Sequence, residues 1–306
     1  MAHLIKIEDY VSRYQYDMYR YPGQFSRLKR ERWDRLKQEW EASYQNGIPS
    51  VIQEAEEQRK PLKGPLAVFR KWPKRKSGEP SVKEVKPFQF KYRTLAEVKS
   101  SFLRDLFEFQ LNWASSTLRE KSTIKTDYFY DEPLKWFLQS FPDNCFVLYY
   151  PIVTYPKATV QFDILIISPT DVWCIVNLDG SENTIYQTFS ERYWLKVEAD
   201  TEKKIINPLL SLNRMSTIVK RILTDKDLDM KVRKVVLTKK GYIDVDAQRS
   251  GILLLDQRSV YDWNEKMKNN SSPIKSVQLK FSQSLLDVCN TTSKLRDDFI
   301  VDDDDF

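Results

Sequence analysis

Histidine is almost missing from this chain of 306 residues: His3 stands alone. Ser-His-Asp and Cys-His hydrolysis, His-ligated metals and His-finger nucleases all need an imidazole at the reacting atoms. One imidazole, at what reads as a mobile N-terminus, serves none of them. Any chemistry must run on carboxylates, lysines or thiols. Glycine is scarce too, with seven residues and no GxGxxG or Walker-type loop, so the usual phosphate-cradling turns are excluded. The three cysteines, Cys145, Cys174 and Cys289, are odd in number and widely spaced. Neither a disulfide framework nor a zinc site follows from them, and a reducing cytosol fits. No apolar run approaches the roughly 18 residues of a membrane span. The start, MAHLIKIEDYVSRYQYDMYRYP, lacks the apolar stretch and small-residue cleavage site of a secretory signal. The expectation is a cytoplasmic protein with no membrane partner.

What is present is charge, unevenly spread. Residues 1–100 carry 22 Lys+Arg against 13 Asp+Glu, while the remainder is slightly acidic. The segment RKPLKGPLAVFRKWPKRKSG, from Arg59 to Gly78, has eight basic residues and no acidic one, with Phe69 and Trp72 interleaved. Its prolines argue for an extended segment rather than a helix. Arg70, Lys71, Lys74, Arg75 and Lys76 are therefore candidate phosphate contacts for DNA or RNA, with aromatic faces nearby for stacking. The competing reading is a solvated basic loop that only aids solubility. At the other end, LRDDFIVDDDDF holds six aspartates. It reads as a solubilising terminus, or as a nucleic-acid mimic that competes for the basic arm.

Periodicity places helices around the arm. Leu28, Trp33, Leu36 and Trp40 recur at near-helical spacing from Gln24 to Tyr44. Phe102, Leu106, Phe109 and Trp113 do the same in a helix from Leu95 to about Leu118. With the tyrosines from Tyr10 to Tyr21, they offer a surface for a protein partner as readily as for bases. From Tyr128 the pattern changes to alternating elements. Pro133 to Gln139 reads as a helix, CFVLYYPIV and ATVQFDILIIS as strands, SPTDV as a turn, and VWCIVNL as a third strand. INPLLSLNRMSTIVKRIL is an amphipathic helix with Asn207 as N-cap and Pro208 in its first turn. KVRKVVLT, GILLL and RSVYDWNEKM add two strands and an amphipathic stretch. The chain is expected to be an α/β protein.

At these residues the chain resembles the nuclease-related domain, NERD, of the PD-(D/E)XK nuclease superfamily. The resemblance rests on Glu132 opening a helix, on QFDILIISPTDVWCIVNLDG, on Trp194 in a following strand, and on INPLLSLNRM. It implies a restriction-endonuclease-like mixed sheet flanked by helices. The division it suggests is an α-rich basic region over 1–120, the nuclease-related domain over 121–290, and an acidic tail over 291–306. The family pattern has a helix glutamate, a strand aspartate, a strand Glu-x-Lys and, later, a glutamine. Glu132 and Asp163 match the first two. The Glu-x-Lys positions fall on Val176 and Leu178, which neither bind metal nor carry charge, and the glutamine position falls on Ser211.

The resemblance then implies a noncatalytic descendant, without cofactor or metal, that binds nucleic acid or a nucleic-acid-processing partner. Two alternatives stay open. Asn177, Asp179 or Lys196 restore a magnesium-dependent nuclease from displaced backbone positions. Or the chain is a protein-interaction scaffold with no nucleic-acid role.

Overall fold

The structure, a computed structural model, describes residues 1–45, 94–199, 201–245 and 251–296. The basic arm with Arg70, Lys71, Lys74, Arg75 and Lys76, and the tail from residue 297, lie outside the described residues. The chain opens with strand β1 (His3–Ile7) and helices α1 (Arg13–Tyr16), α2 (Tyr21–Gln45) and α3 (Leu95–Trp113). Strand β2 (Glu120–Lys121) and helix α4 (Glu132–Ser140) follow, then β3 (Phe146–Tyr149), β4 (Ile152–Thr154), β5 (Thr159–Gln161), β6 (Ile164–Ile167) and β7 (Asp171–Asn177). Next are β8 (Ile185–Thr188), β9 (Tyr193–Glu198), β10 (Thr201–Ile206), helix α5 (Pro208–Asp225) and β11 (Lys231–Leu237). The described chain closes with β12 (Tyr242–Asp244), β13 (Ile252–Leu255), α6 (Val260–Lys268), α7 (Ser276–Asp287) and β14 (Lys294–Leu295).

A mixed sheet in the order β1-β3-β6-β7-β11-β13 is the frame, and helices cover it. Its inner strands are near-continuous apolar runs because both faces are buried. On one face Ile164, Ile166, Ile175, Val235 and Leu237 join Leu134, Phe137 and Leu138 of α4 in a single core. Against the other face lies α5, with Leu212, Met215 and Val219 buried. Each such side chain contributes roughly 1.5–3 kcal/mol of transfer free energy, so the sheet is held from both sides. As the sequence suggests, Asn207 caps α5, its Oδ1 accepting from the Leu209 N–H at 3.0 Å, and Pro208 takes the first turn.

The N-terminus corrects one expectation. His3 is not at a mobile end but inside β1, which pairs parallel with β3, and it is fully buried. Its ring nitrogens lie 2.8 Å from the Asp143 carbonyl and 3.3 Å from the Tyr14 hydroxyl. Three strand positions on, Lys6 is buried as well. Its ammonium donates to the Tyr10 carbonyl at 2.6 Å, and burial lowers its pKa to about 8. Both side chains anchor the segment, so their role is structural. Contacts place Met1–Gly23 in one compact unit with Phe107–Leu295.

The second unit takes in α2 from Gln24 and α3 up to Leu106. Phe25, Leu36, Val98, Phe102 and Leu106 are its buried apolar side chains. Arg32 bonds Asp105 at 3.3 Å there, a pair partly withdrawn from water. This is the α-rich N-terminal region.

Two expected strands are each broken in two. CFVLYYPIV divides into β3 and β4, and ATVQFDILIIS into β5 and β6. The cause is Tyr150, a non-glycine residue at φ 51°, in the left-handed region that L side chains rarely enter. It bends the chain out of the main sheet, so β4 and β5 pair with each other instead. The Tyr150 N–H still donates to the Asp163 carbonyl at 2.8 Å, closing the fork. Asp163 therefore sits at the mouth of β6 rather than within a strand.

Candidate functional site

Register decides what faces Asp163. The β6–β7 pairing sets Ile164 opposite Ile175 and Leu165 opposite Cys174. Continued by one residue, the same register puts Asp163 opposite Val176. Strand side chains alternate, so the two share the sheet face that α5 covers. Ser211, on the first turn of α5, reaches down to it, and its hydroxyl donates to Asp163 Oδ2 at 3.0 Å. The structure thus brings together three of the positions singled out by sequence: Asp163, Val176 and Ser211. Val176 is 6% exposed and Leu178, just past β7, is half-buried, its N–H donating to the Leu237 carbonyl at 2.7 Å.

Glu132 goes elsewhere. It is the first residue of α4, its side chain is 80% exposed, and it bonds Lys135 at 2.9 Å. The inward carboxylate is its neighbour Asp131, which sequence reasoning passed over. Asp131 is the α4 N-cap, accepting from the Leu134 N–H at 2.8 Å and from the Tyr149 hydroxyl at 3.1 Å. Two aromatic residues then link it to the site. The Tyr149 and Tyr150 rings lie 4.5 Å apart, and the Tyr150 phenol is raised by burial and, next, by the charge of Asp163. Asp131 and Asp179 act on Tyr150 in the same sense. The signal for Asp131 was its place before Glu132-Pro133, the ordinary position of an aspartate N-cap.

The proposed relocations fare differently. Lys196, on β9, bonds Glu198 at 3.0 Å, and Glu198 also accepts from the Thr184 hydroxyl at 2.8 Å. Asn177 falls on the opposite face of β7 from Val176 by the strand's two-residue period. Asp179 is exposed and begins a turn in which Gly180 has no room for a Cβ, which would stand 2.8 Å from the Tyr186 hydroxyl oxygen. Magnesium demands near-octahedral oxygen ligation. Among the described residues no three His, Cys, Asp or Glu side chains are grouped to hold a metal. The Asp163 donor set, one carboxylate bonded to a serine and faced by valine, does not fit that ion.

Electrostatics describe Asp163 as an uncompensated group. Burial pushes its carboxyl above the usual carboxylate range, and the Ser211 hydroxyl offsets this only in part. A raised acid stabilises the fold below its unfolded pKa, and that contribution is lost as pH rises through the folded pKa. Asp163→Asn keeps an acceptor for Ser211 and removes the buried charge. We expect it to raise stability at pH 7 by about 1 kcal/mol. The gain should vanish as pH falls to the ordinary carboxylate range. Urea melts of both proteins from pH 3 to 7 check this, and a destabilised Asn variant at pH 7 would show that the ionised carboxylate has a partner.

The three cysteines are free and buried, and burial pushes Cys145 and Cys289 up to about 12, so no thiolate is poised for chemistry. No described helix is long and apolar enough to cross a membrane.

A protein of Geobacillus stearothermophilus named RNA 2',3'-cyclic phosphodiesterase is 36% identical over 118 residues, 36% of this chain and 36% of its own. The chain thus spans about a third of the length of the relative it matches. No solved structure matches. Residues 129–239, from the end of the turn before α4 to just past β11, match the nuclease-related domain family, and the α/β unit carries a nuclease-related domain.

Proposed function

We propose that this protein is a noncatalytic nuclease-related protein that binds nucleic acid or a partner that processes it. The observation that carries the reading is the lone Asp163 carboxylate bonded to Ser211, with the β6–β7 register, continued by one residue, setting the buried Val176 across from it. In a metal-dependent phosphodiesterase, paired carboxylates hold the ion that polarises the phosphoryl group, and a lysine offsets the charge that develops. By the family resemblance, the second carboxylate position falls on Val176, which is buried, and the lysine position on Leu178. What persists is a nuclease-type frame. The relative named for RNA cyclic-phosphate chemistry supports RNA as the first ligand to try, alongside DNA.

The test is turnover. Purified full-length protein with magnesium or manganese is expected to leave single- and double-stranded DNA, RNA and a 2',3'-cyclic phosphate nucleotide intact. Cleavage that disappears in Asp163→Ala would overturn the reading in favour of a magnesium-dependent enzyme with displaced groups, Asp131 and Asp179 being first to examine. Absence of any nucleic-acid binding at low salt would instead favour an interaction scaffold.

A further inference from the structure

The second sheet, in the order β10-β9-β8-β12, has two unlike faces. Register sets Tyr186, Trp194 and Ile243 on one of them, and all three are buried. On the other, Ile185, Leu195 and Val197 are only half-buried, so an apolar surface stays in contact with water. Tyr193 and Tyr242, also half-buried, share that face by the same register. At the β8–β9 turn stands Phe189, 50% exposed, its N–H bonded to the Tyr193 carbonyl at 3.2 Å.

Each of these rings carries a cation. The Lys204 ammonium lies 4.2 Å from the Phe189 centroid, Arg192 lies 5.6 Å from that of Tyr193, and Arg258 lies 5.5 Å from that of Tyr242. Arg258 is shared with Asp256. Lys204 and Arg192 have no carboxylate partner among the described residues. Glu202 and Asp244 stand on the same face and temper its charge, so attraction alone does not account for what it would bind. Planar rings each paired with a free or shared cation suit a ligand that carries both flat faces and negative charge.

We propose that this open sheet face is a platform for single-stranded nucleic acid, its bases stacking on Phe189 and Tyr193 and its phosphates meeting Lys204 and Arg192. A duplex hides its base faces in the stack, whereas an unpaired strand presents them. The proposal rests on the reading that the protein binds nucleic acid, and it names the surface and the strandedness.

The test uses full-length protein with labelled 20-nucleotide oligo-dT and oligo-U and with a duplex of equal length. Phe189→Ala with Tyr193→Ala is expected to weaken single-strand binding about 10-fold or more and to leave duplex binding unchanged. Lys204→Ala, at an exposed side chain, should flatten the salt dependence of single-strand binding by about 0.7 in log–log slope. Phe189→Trp, which keeps a stacking face, should bind as wild type and guards against a folding artefact in the double variant. Wild-type binding to single strands that all three variants leave unchanged would overturn the platform and leave the nucleic-acid reading standing. A wild type that binds neither oligonucleotide at low salt would overturn both.

Discussion

Val176→Glu is expected to lower stability by about 3 kcal/mol, seen as a large fall in urea midpoint with little change in slope. The side chain is 6% exposed, its register partner on β11 is Val236, and the residue across β6 is Asp163. A second carboxylate would enter beside one whose ionisation burial already opposes. Leu178→Lys added to it supplies an opposite charge from a half-buried position past the strand end. The double variant should therefore recover part of the loss, not all of it, since each charge still leaves water. Divalent cations give the sharper readout. If magnesium raises the melting temperature of the double variant but not of wild type, the rebuilt pair chelates, and the frame has kept the geometry of a metal site. An unchanged melting temperature together with magnesium-dependent nicking would show a site that stayed open and polar, against the buried valine that faces Asp163.

The elements easiest to read were those whose burial follows a simple period. α4, α5, β7 and β11 lie within a few residues of their expected bounds because each buries apolar side chains at regular spacing. α7 escaped because its buried stripe includes Gln278 and Ser282. The Gln278 amide donates to the Asn144 and Ile167 carbonyls at 2.7 and 2.9 Å, and such long-range partners leave no local trace. β1 was hidden likewise, by the buried polar residues His3 and Lys6. β10, TEKKII, is an exposed edge strand with almost no apolar alternation to detect. At the site, the resemblance to a family pattern singled out Asp163, Val176 and Ser211, and the fold brings the three together. The resemblance chose Glu132 over Asp131 because a glutamate one residue into a helix fits a family pattern, whereas the inward turn of Asp131 depends on Tyr149, 18 residues away. The left-handed Tyr150 that splits both hairpin strands had no sequence signal either, since glycine is the usual mark of that conformation.

Neutralising Arg70, Lys71, Lys74, Arg75 and Lys76 together is expected to weaken nucleic-acid binding by roughly 100-fold at low salt, with little change in melting temperature. Each phosphate contact contributes about 0.7–0.9 to the slope of log affinity against log salt, so the slope should fall by about 3.5–4.5 if all five engage. The loss should be similar for duplex and single strands, because phosphate contacts carry no information about pairing. That separates the arm from the β8–β10 face, whose variants should affect single strands alone. The six aspartates beyond residue 296 supply the complementary experiment. Removing residues 297–306 should raise affinity if the tail competes for the arm, most at low salt, where screening is weak. The gain should disappear when the arm is already neutralised, since nothing would be left to compete for. A tail deletion that raises affinity equally in both backgrounds would place the repulsion on the nucleic acid directly. Unchanged binding after the five replacements would make the arm ordinary surface and leave the sheet face as the principal contact.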